Sequence, residues 1–365
     1  MDRRSFLTRA GAVAGAAATF PAPAIAQGVR ELKMVTSWPK VLPGLGSSAE
    51  RLGSAITAIT GGRLKVQVFG AGQFVSAFEV FDAVSGGIAD MYHSAEFYWQ
   101  KHSPGFNFFT AVPFGLTADE MAAWIRFDGG QELWDELSGG YNIKPLMATN
   151  TGVQMGGWFT KEVTGPESYR GLRYRMPGLG GEVLRRLGAV VVNLPAGEIT
   201  AALKSGAIDA SEWISPWDDM ALGLHKVSKY YYYPGFHEPG TVVALGINKK
   251  LWDELSAEDR NAITTVAHAE YTLSLAEYNA NNAKSLEQLR EDKAIEIRKF
   301  DDSLLEALGK TSGEVMTETG QKDPLTRRIY ASYIAFRGRA KHWADLSERG
   351  YLNARALNFP YGDKA

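Results

Sequence analysis

The chain predicts an α/β fold built in two units and closed by a helical C-terminal region. Three observations carry this. Strand and helix patterns alternate between residues 31 and 92, the alternation returns between 150 and 240, and helical spacing takes over after Lys249.

Glu31 to Trp38 reads as a first strand, with Leu32, Met34 and Val35 apolar and Pro39 as its stop. Leu45 to Thr60 has helical spacing and ends at Gly61-Gly62. Arg63 to Phe69 alternates as a strand, Val75 to Ser85 is helical, and Ala89 to Tyr92 is a short strand opening onto a loop at His93 to Tyr98. This rhythm predicts a parallel-rich sheet, in which ligands gather beyond the carboxyl ends of the strands. Ala118 to Ser138 is helical with a break at Gly129-Gly130. Tyr141 to Thr149 is a strand that Pro145 confines to an edge or a crossing. Gln154 to Phe159 starts the second unit. It continues through a helix at Gly181 to Leu187, a strand at Ala189 to Asn193, and a helix from Pro195 to Lys204 closed by Gly206. Tyr230 to Tyr233 leads to a loop, and Thr241 to Asn248 returns as a strand. Beyond it, Ser256 to Glu291 and Leu325 to Ser347 are helices. The latter carries Ile329, Tyr333, Phe336, Ala340 and Trp343 along one stripe.

The ends and the composition narrow the function. Met1-Asp2-Arg3-Arg4-Ser5-Phe6-Leu7 looks like a twin-arginine export signal. An apolar run to Phe20 and the cleavable Ala24-Ile25-Ala26 follow it, so residues 1–26 are expected to be a signal peptide. No cysteine occurs among the 365 residues, which excludes thiolate-held iron–sulfur clusters, c-type haem attachment and disulfides. The formal net charge of −2, with no basic cluster, argues against nucleic acid and anionic membrane surfaces as partners. Gly-x-Ser-x-Gly, His-Glu-x-x-His and a phosphate-binding Gly-Lys-Ser/Thr loop are all absent, and no two histidines stand at metal-ligand spacing.

Two segments speak to function directly: Gly171-Leu172-Arg173-Tyr174-Arg175-Met176-Pro177 and Ser205-Gly206-Ala207-Ile208-Asp209-Ala210-Ser211-Glu212-Trp213. Together they resemble the extracytoplasmic solute receptors of tripartite ATP-independent periplasmic (TRAP) transporters. Arg175 takes the place of that family's carboxylate-clamping arginine, and a guanidinium fork suits a carboxylate in two parallel hydrogen bonds. Where the dicarboxylate and sialic-acid branches continue Gly-x-Glu-Asn, this chain reads Ala210-Ser211-Glu212-Trp213. That departure resembles the branch for 2-oxo acids and lactate, in which a cation helps hold the ligand.

A charge argument points the same way. If Glu212 and a ligand carboxylate share one dry cleft, Arg175 neutralises only one of them, and a hard cation, Na⁺ or else Ca²⁺, would neutralise the other. Gln154, Glu212 and the Trp213 carbonyl supply the oxygens such ions prefer, and Glu238 is a further candidate ligand. Arg175, Tyr98, Asn150 and Trp213 are the candidates for contact with the organic ligand, with Phe97 or Trp99 walling off water.

The resemblance implies a two-lobed class II periplasmic-binding-protein fold with discontinuous lobes. The first would span 27–150 plus about 240–280, and the second 151–239 plus about 281–320. A C-terminal helix region at 321–365 would be available for dimerisation. The expected function is capture without turnover: a periplasmic receptor, not an enzyme, that closes on a small 2-oxo monocarboxylate and presents it to a membrane permease. No organic cofactor is expected. The competing class is a periplasmic metal-dependent lyase or hydrolase exported folded, and a sensor co-receptor is a third possibility.

Overall fold

The computed structural model describes residues 28–358, so the expected signal peptide lies outside the described residues. The chain begins with β1 (Arg30–Thr36), α1 (Leu45–Ile59), β2 (Leu64–Phe69), α2 (Val80–Ser85) and β3 (Met91–Ser94). A 3₁₀ turn at Glu96–Trp99 and another at Pro104–Phe109 follow, then α3 (Ala118–Phe127), α4 (Gly130–Gly139) and β4 (Ile143–Asn150). The second run is β5 (Gly157–Phe159), β6 (Arg173–Arg175), α5 (Gly178–Arg186), β7 (Val190–Val192), α6 (Ala196–Ser205), β8 (Ala210–Ser211), α7 (Pro216–Leu222) and β9 (Tyr230–Tyr233). It is completed by β10 (Val242–Asn248), α8 (Lys249–Glu254), α9 (Ala257–Glu291), β11 (Glu296–Lys299), α10 (Asp302–Thr319), α11 (Pro324–Leu346) and α12 (Glu348–Arg355).

The strands form two sheets. One is five-stranded in the order β2-β1-β3-β10-β4; the other is six-stranded in the order β11-β9-β5-β8-β6-β7. In the first, β1 pairs in parallel with β2 and β3, while β10 runs antiparallel to β3 and β4. β4 lies at the sheet's edge, the place its internal Pro145 allows. The chain leaves the first sheet after Asn150 and returns to it at Val242, the two crossings expected from the sequence. α9 packs on β4 and α1 beside the first sheet and on α7 beside the second, so one continuous helix ties both halves together. Its start is capped by Ser256, whose hydroxyl accepts the Asp259 amide.

Three local expectations are corrected. The helix after Val75 begins only at Val80. His93 lies within strand β3 rather than in a loop, because its backbone pairs with Thr36 on one side and Leu245 on the other. The region after Lys249 is not wholly helical: β11 adds a parallel edge strand to β9, from Glu296 beside Tyr230 to Lys299 beside Tyr233. Four residues, of which Glu296, Arg298 and Lys299 are charged, give no local strand signal; the ladder comes from a partner far away in sequence. The α11 stripe divides. Ile329, Tyr333 and Ala340 are buried, whereas Trp343 is 71 % exposed.

Candidate functional site

The site forms where the two sheets face each other. β6 and β8 are neighbouring parallel strands with Arg175 opposite Ser211, so both run out in the same direction at the same level. Arg175 at the end of β6 and Glu212 just past β8 are therefore placed side by side. Their side chains form an ion pair that is about 99 % withdrawn from solvent, each being 1 % exposed. Arg175 also donates from Nε to the Leu194 carbonyl at 3.0 Å, and its guanidinium lies 5.2 Å from the centre of the Trp213 ring. Its Nη2 is buried with no hydrogen-bond partner. A buried unpaired guanidinium nitrogen is costly unless a ligand completes it.

Close backbone approach makes this corner possible. Gly157 of β5 has φ 121°, and a Cβ there would stand 2.5 Å from the Tyr174 hydroxyl and 2.9 Å from the Ser211 carbonyl. Only glycine fits. Gly206, at φ 71°, ends α6 in the left-handed conformation its position predicted.

The second group comes from the two crossings. The Gln154 amide nitrogen donates to Glu238 Oε2 at 2.8 Å and to the Thr241 hydroxyl at 3.1 Å, and that hydroxyl donates to the same Glu238 oxygen at 2.7 Å. With its nitrogen so committed, the Gln154 Oε1 is left buried and unpartnered. Glu212, His237 and Glu238 each offer one ligand atom, all within 4.8 Å of one another, and all three are buried. Burial, and then the neighbouring Glu212, push the Glu238 carboxyl up to about 7. Burial by itself would lower the Arg175 guanidinium; Glu212, Tyr98 and Glu238 reverse that and hold it above its ordinary value. Burial pushes the Tyr98 hydroxyl up to about 12. It therefore remains a protonated donor beside Arg175.

These groups line a cavity of about 30 Å³, room for about two water molecules. Its wall includes Arg175, Glu212, Trp213, Gln154, Glu238 and Tyr98. Six of the seven candidate site residues named from the sequence are thus brought together. The seventh, Asn150, does not line the cavity. Its amide nitrogen donates to the Gly240 carbonyl and the Tyr271 hydroxyl, and its oxygen accepts the Gly152 amide. Phe97 lines the cavity as expected. Trp99 packs instead in the buried core against Phe81 and Tyr92. His237 joins the site without any sequence signal: a lone histidine in a loop points to no ligand until the fold sets it 3.5 Å from Glu212 Oε2. Trp38 carries no such signal either, since the sequence places it only at the end of a strand.

The donor set fits a hard cation. An unpartnered amide oxygen and two carboxylates are oxygen ligands of the kind Na⁺ and Ca²⁺ take.

The family described as bacterial extracellular solute-binding protein, family 7, matches residues 38–323. The chain belongs to that family. Family 7 proteins are extracytoplasmic receptors, not enzymes, so this chain is a periplasmic solute receptor of the TRAP type. It is 37 % identical over 321 residues, 88 % of each chain, to a monocarboxylate 2-oxoacid-binding periplasmic protein of Nostoc. Among solved structures, a TRAP solute-binding protein of Bordetella bronchiseptica is 33 % identical with a TM-score of 0.88. The match covers 90 % of this chain and 100 % of that one, a mixed-occupancy dimer with calcium and picolinate in its bound site. A TRAP protein of Pseudoalteromonas atlantica with bound sodium and pyruvate is 33 % identical with a TM-score of 0.87, covering 90 % and 100 %. The α/β periplasmic-binding-protein fold expected from the sequence is the fold of this family 7 chain, built on two sheets. No helix among the described residues is long and apolar enough to cross a membrane.

Proposed function

We propose that this receptor captures a small 2-oxo monocarboxylate, pyruvate or a close homologue, together with one Na⁺ or Ca²⁺, and delivers it to a TRAP permease. The observation that carries the reading is the buried Arg175, which has an unpartnered Nη2 and lines a cavity shared with a buried cluster of acids. Arg175 Nη2 and the Tyr98 hydroxyl take the carboxylate. Gln154 Oε1, Glu212, Glu238 and the Trp213 carbonyl are the residues that hold the cation. When bound, that ion supplies the positive charge the site otherwise lacks and an electrophilic partner for the 2-oxo oxygen. The Trp213 ring lies 5.2 Å from the Arg175 guanidinium and attracts its charge. The relatives from Nostoc and Pseudoalteromonas, one named for 2-oxo acids and one holding sodium and pyruvate, support the ligand class.

The two sheets are the cores of two lobes, at 27–150 plus about 240–280 and at 151–239 plus about 281–320. Hinging at the crossings near 150 and 240 opens the cavity to its ligand. A thermal-shift and calorimetric screen of pyruvate, lactate and longer 2-oxo acids, each with Na⁺, with Ca²⁺ and after chelation into a K⁺ or choline buffer, tests the reading. Cation-dependent stabilisation by a 2-oxo acid is expected; indifference to every acid in both ions refutes it. The receptor also pairs with a second copy through α11 and α12, where Trp343, Leu346, Tyr351 and Leu352 are exposed. Light scattering that gave the mass of one chain would overturn that pairing.

A further inference from the structure

The two sides of the cavity differ in chemistry. Its ionic and polar groups, Arg175, Glu212, Gln154 and Glu238, come from the second sheet's side and the crossings. The first sheet's side contributes the Tyr98 hydroxyl and is otherwise carbon: Trp38, Leu45, Ala95, Phe97 and Val243. A ligand whose carboxylate and oxo oxygens face the charged side must turn its alkyl tail toward this apolar wall.

We propose that Trp38 sets the length of tail the receptor accepts, and that a directed hydrogen-bond chain through His93, Thr149 and Ser48 to Glu270 holds its ring in place. This rests on the reading of the cavity as a 2-oxo acid site.

The chain can be followed atom by atom. Trp38 Nε1 donates to His93 Nδ1 at 3.1 Å, so Nδ1 is the acceptor and the ring proton sits on Nε2. Nε2 lies 2.9 Å from the Thr149 hydroxyl, to which it must donate. That hydroxyl, having accepted, donates in turn to the Ser48 hydroxyl. Ser48 donates to Glu270 Oε1 at 2.7 Å, and Glu270 is anchored by Arg51, which also binds Glu277. Every link has one possible direction, because an indole nitrogen only donates and a carboxylate only accepts. The residues come from β3, β4, α1 and α9, and Trp38, His93, Thr149, Ser48 and Glu270 are all buried. Burial pushes His93 down to about 3, so its Nδ1 stays free to accept.

The backbone at Trp38 is pinned as well: its carbonyl accepts the Thr36 hydroxyl at 2.8 Å and the Ala71 amide at 2.9 Å. With its only polar side-chain atom given to His93, Trp38 presents carbon to the cavity. With ring and backbone both held, that wall does not recede for a longer tail. The cavity that this wall helps to close is small, about 30 Å³.

The test is a ladder of affinities for pyruvate, 2-oxobutyrate and 4-methyl-2-oxopentanoate, measured by calorimetry in a Na⁺ and a Ca²⁺ buffer. The wild-type chain should prefer pyruvate to the branched six-carbon acid by more than about tenfold, the scale on which a fixed apolar wall discriminates tail size. Trp38→Phe, which shortens the wall, and His93→Phe, which frees the indole, should each reduce that ratio to about threefold or less. His93→Phe, at a residue behind the cavity wall, should leave pyruvate affinity within about threefold, because the carboxylate and cation contacts are untouched. His93→Gln, whose amide can both accept from Trp38 and donate to Thr149, should restore most of the preference. A general packing defect would weaken all acids together and would not be rescued by glutamine. A ratio unchanged in folded Trp38→Phe overturns the proposal. So does a wild-type chain that binds the six-carbon acid as well as pyruvate. If His93→Phe does not fold, Trp38→Phe and His93→Gln decide the matter. If the wild-type chain binds none of the acids, it is the function proposed above that fails; if it binds them and the ratio does not move, only the role of Trp38 falls.

Discussion

Arg175→Ala separates the two tasks of the buried guanidinium. In the free receptor it neutralises Glu212, whose ligand oxygen lies within 4.8 Å of that of Glu238. Two negative charges at that distance repel by about 3.5 kcal/mol at an effective dielectric near 20. Removing one partner of a buried pair typically costs about 3–5 kcal/mol, so the variant should be markedly less stable or should take up a proton at the acid pair. Binding suffers separately. A carboxylate that loses its charged, hydrogen-bonding partner forfeits about 3–5 kcal/mol, more than a hundredfold in affinity. Arg175→Ala combined with Glu212→Gln distinguishes the effects, since neutralising the orphaned acid should recover stability but not the clamp. Arg175→Lys keeps the charge and loses the fork and the guanidinium's contact with the Trp213 ring, and should fall between. Calorimetry with pyruvate, alongside urea unfolding, reads both quantities. Pyruvate affinity within about threefold of wild type in a cooperatively unfolding Arg175→Ala chain would refute the clamp.

Other expectations follow from the same geometry. Glu212→Gln should weaken the dependence of pyruvate binding on added Na⁺ or Ca²⁺, read as a smaller thermal-shift difference between chelated and ion-loaded samples. Glu96, buried and bonded to the Tyr92 hydroxyl at 2.6 Å, is pushed by burial from 4.5 up to about 7. Between those values the folded chain holds a proton that the unfolded chain has lost, so stability falls as pH rises from about 4.5 through 7. Glu96→Gln should flatten that part of a urea-midpoint profile, and an unchanged slope would count against it. Gly157→Ala places a methyl group against the Tyr174 hydroxyl and the Ser211 carbonyl at a positive φ. It should lower stability by roughly 2 kcal/mol or more in denaturant unfolding.

Much of the site could be read in the chain because its parts sit at punctuated places. Arg175 ends a strand stopped by Pro177, and Glu212 follows a strand of two residues. Gln154 and Glu238 flank the two crossings, where the chain passes from one sheet to the other. Asn150 stands at a crossing too, yet it serves the scaffold, its hydrogen bonds spent on Gly240, Tyr271 and Gly152. Nothing local distinguishes those two fates. His237 and Trp38 had no signal of their own for the same reason: their roles come from Glu212 and His93, neighbours in space only.

The order of amino acids alone determined the alternation of strands and helices, the paired crossings and the family, and it singled out Arg175, the arginine proposed for an anionic ligand. Those properties depend on side-chain periodicity, turn residues and short motifs, which act over a few positions. Only the tertiary structure decided that β11 is a strand, that His237 joins the acid cluster, and that Trp38 is held at the apolar wall. Each depends on contacts between residues tens to hundreds of positions apart. Strand register and helix packing set such distances; local preference does not.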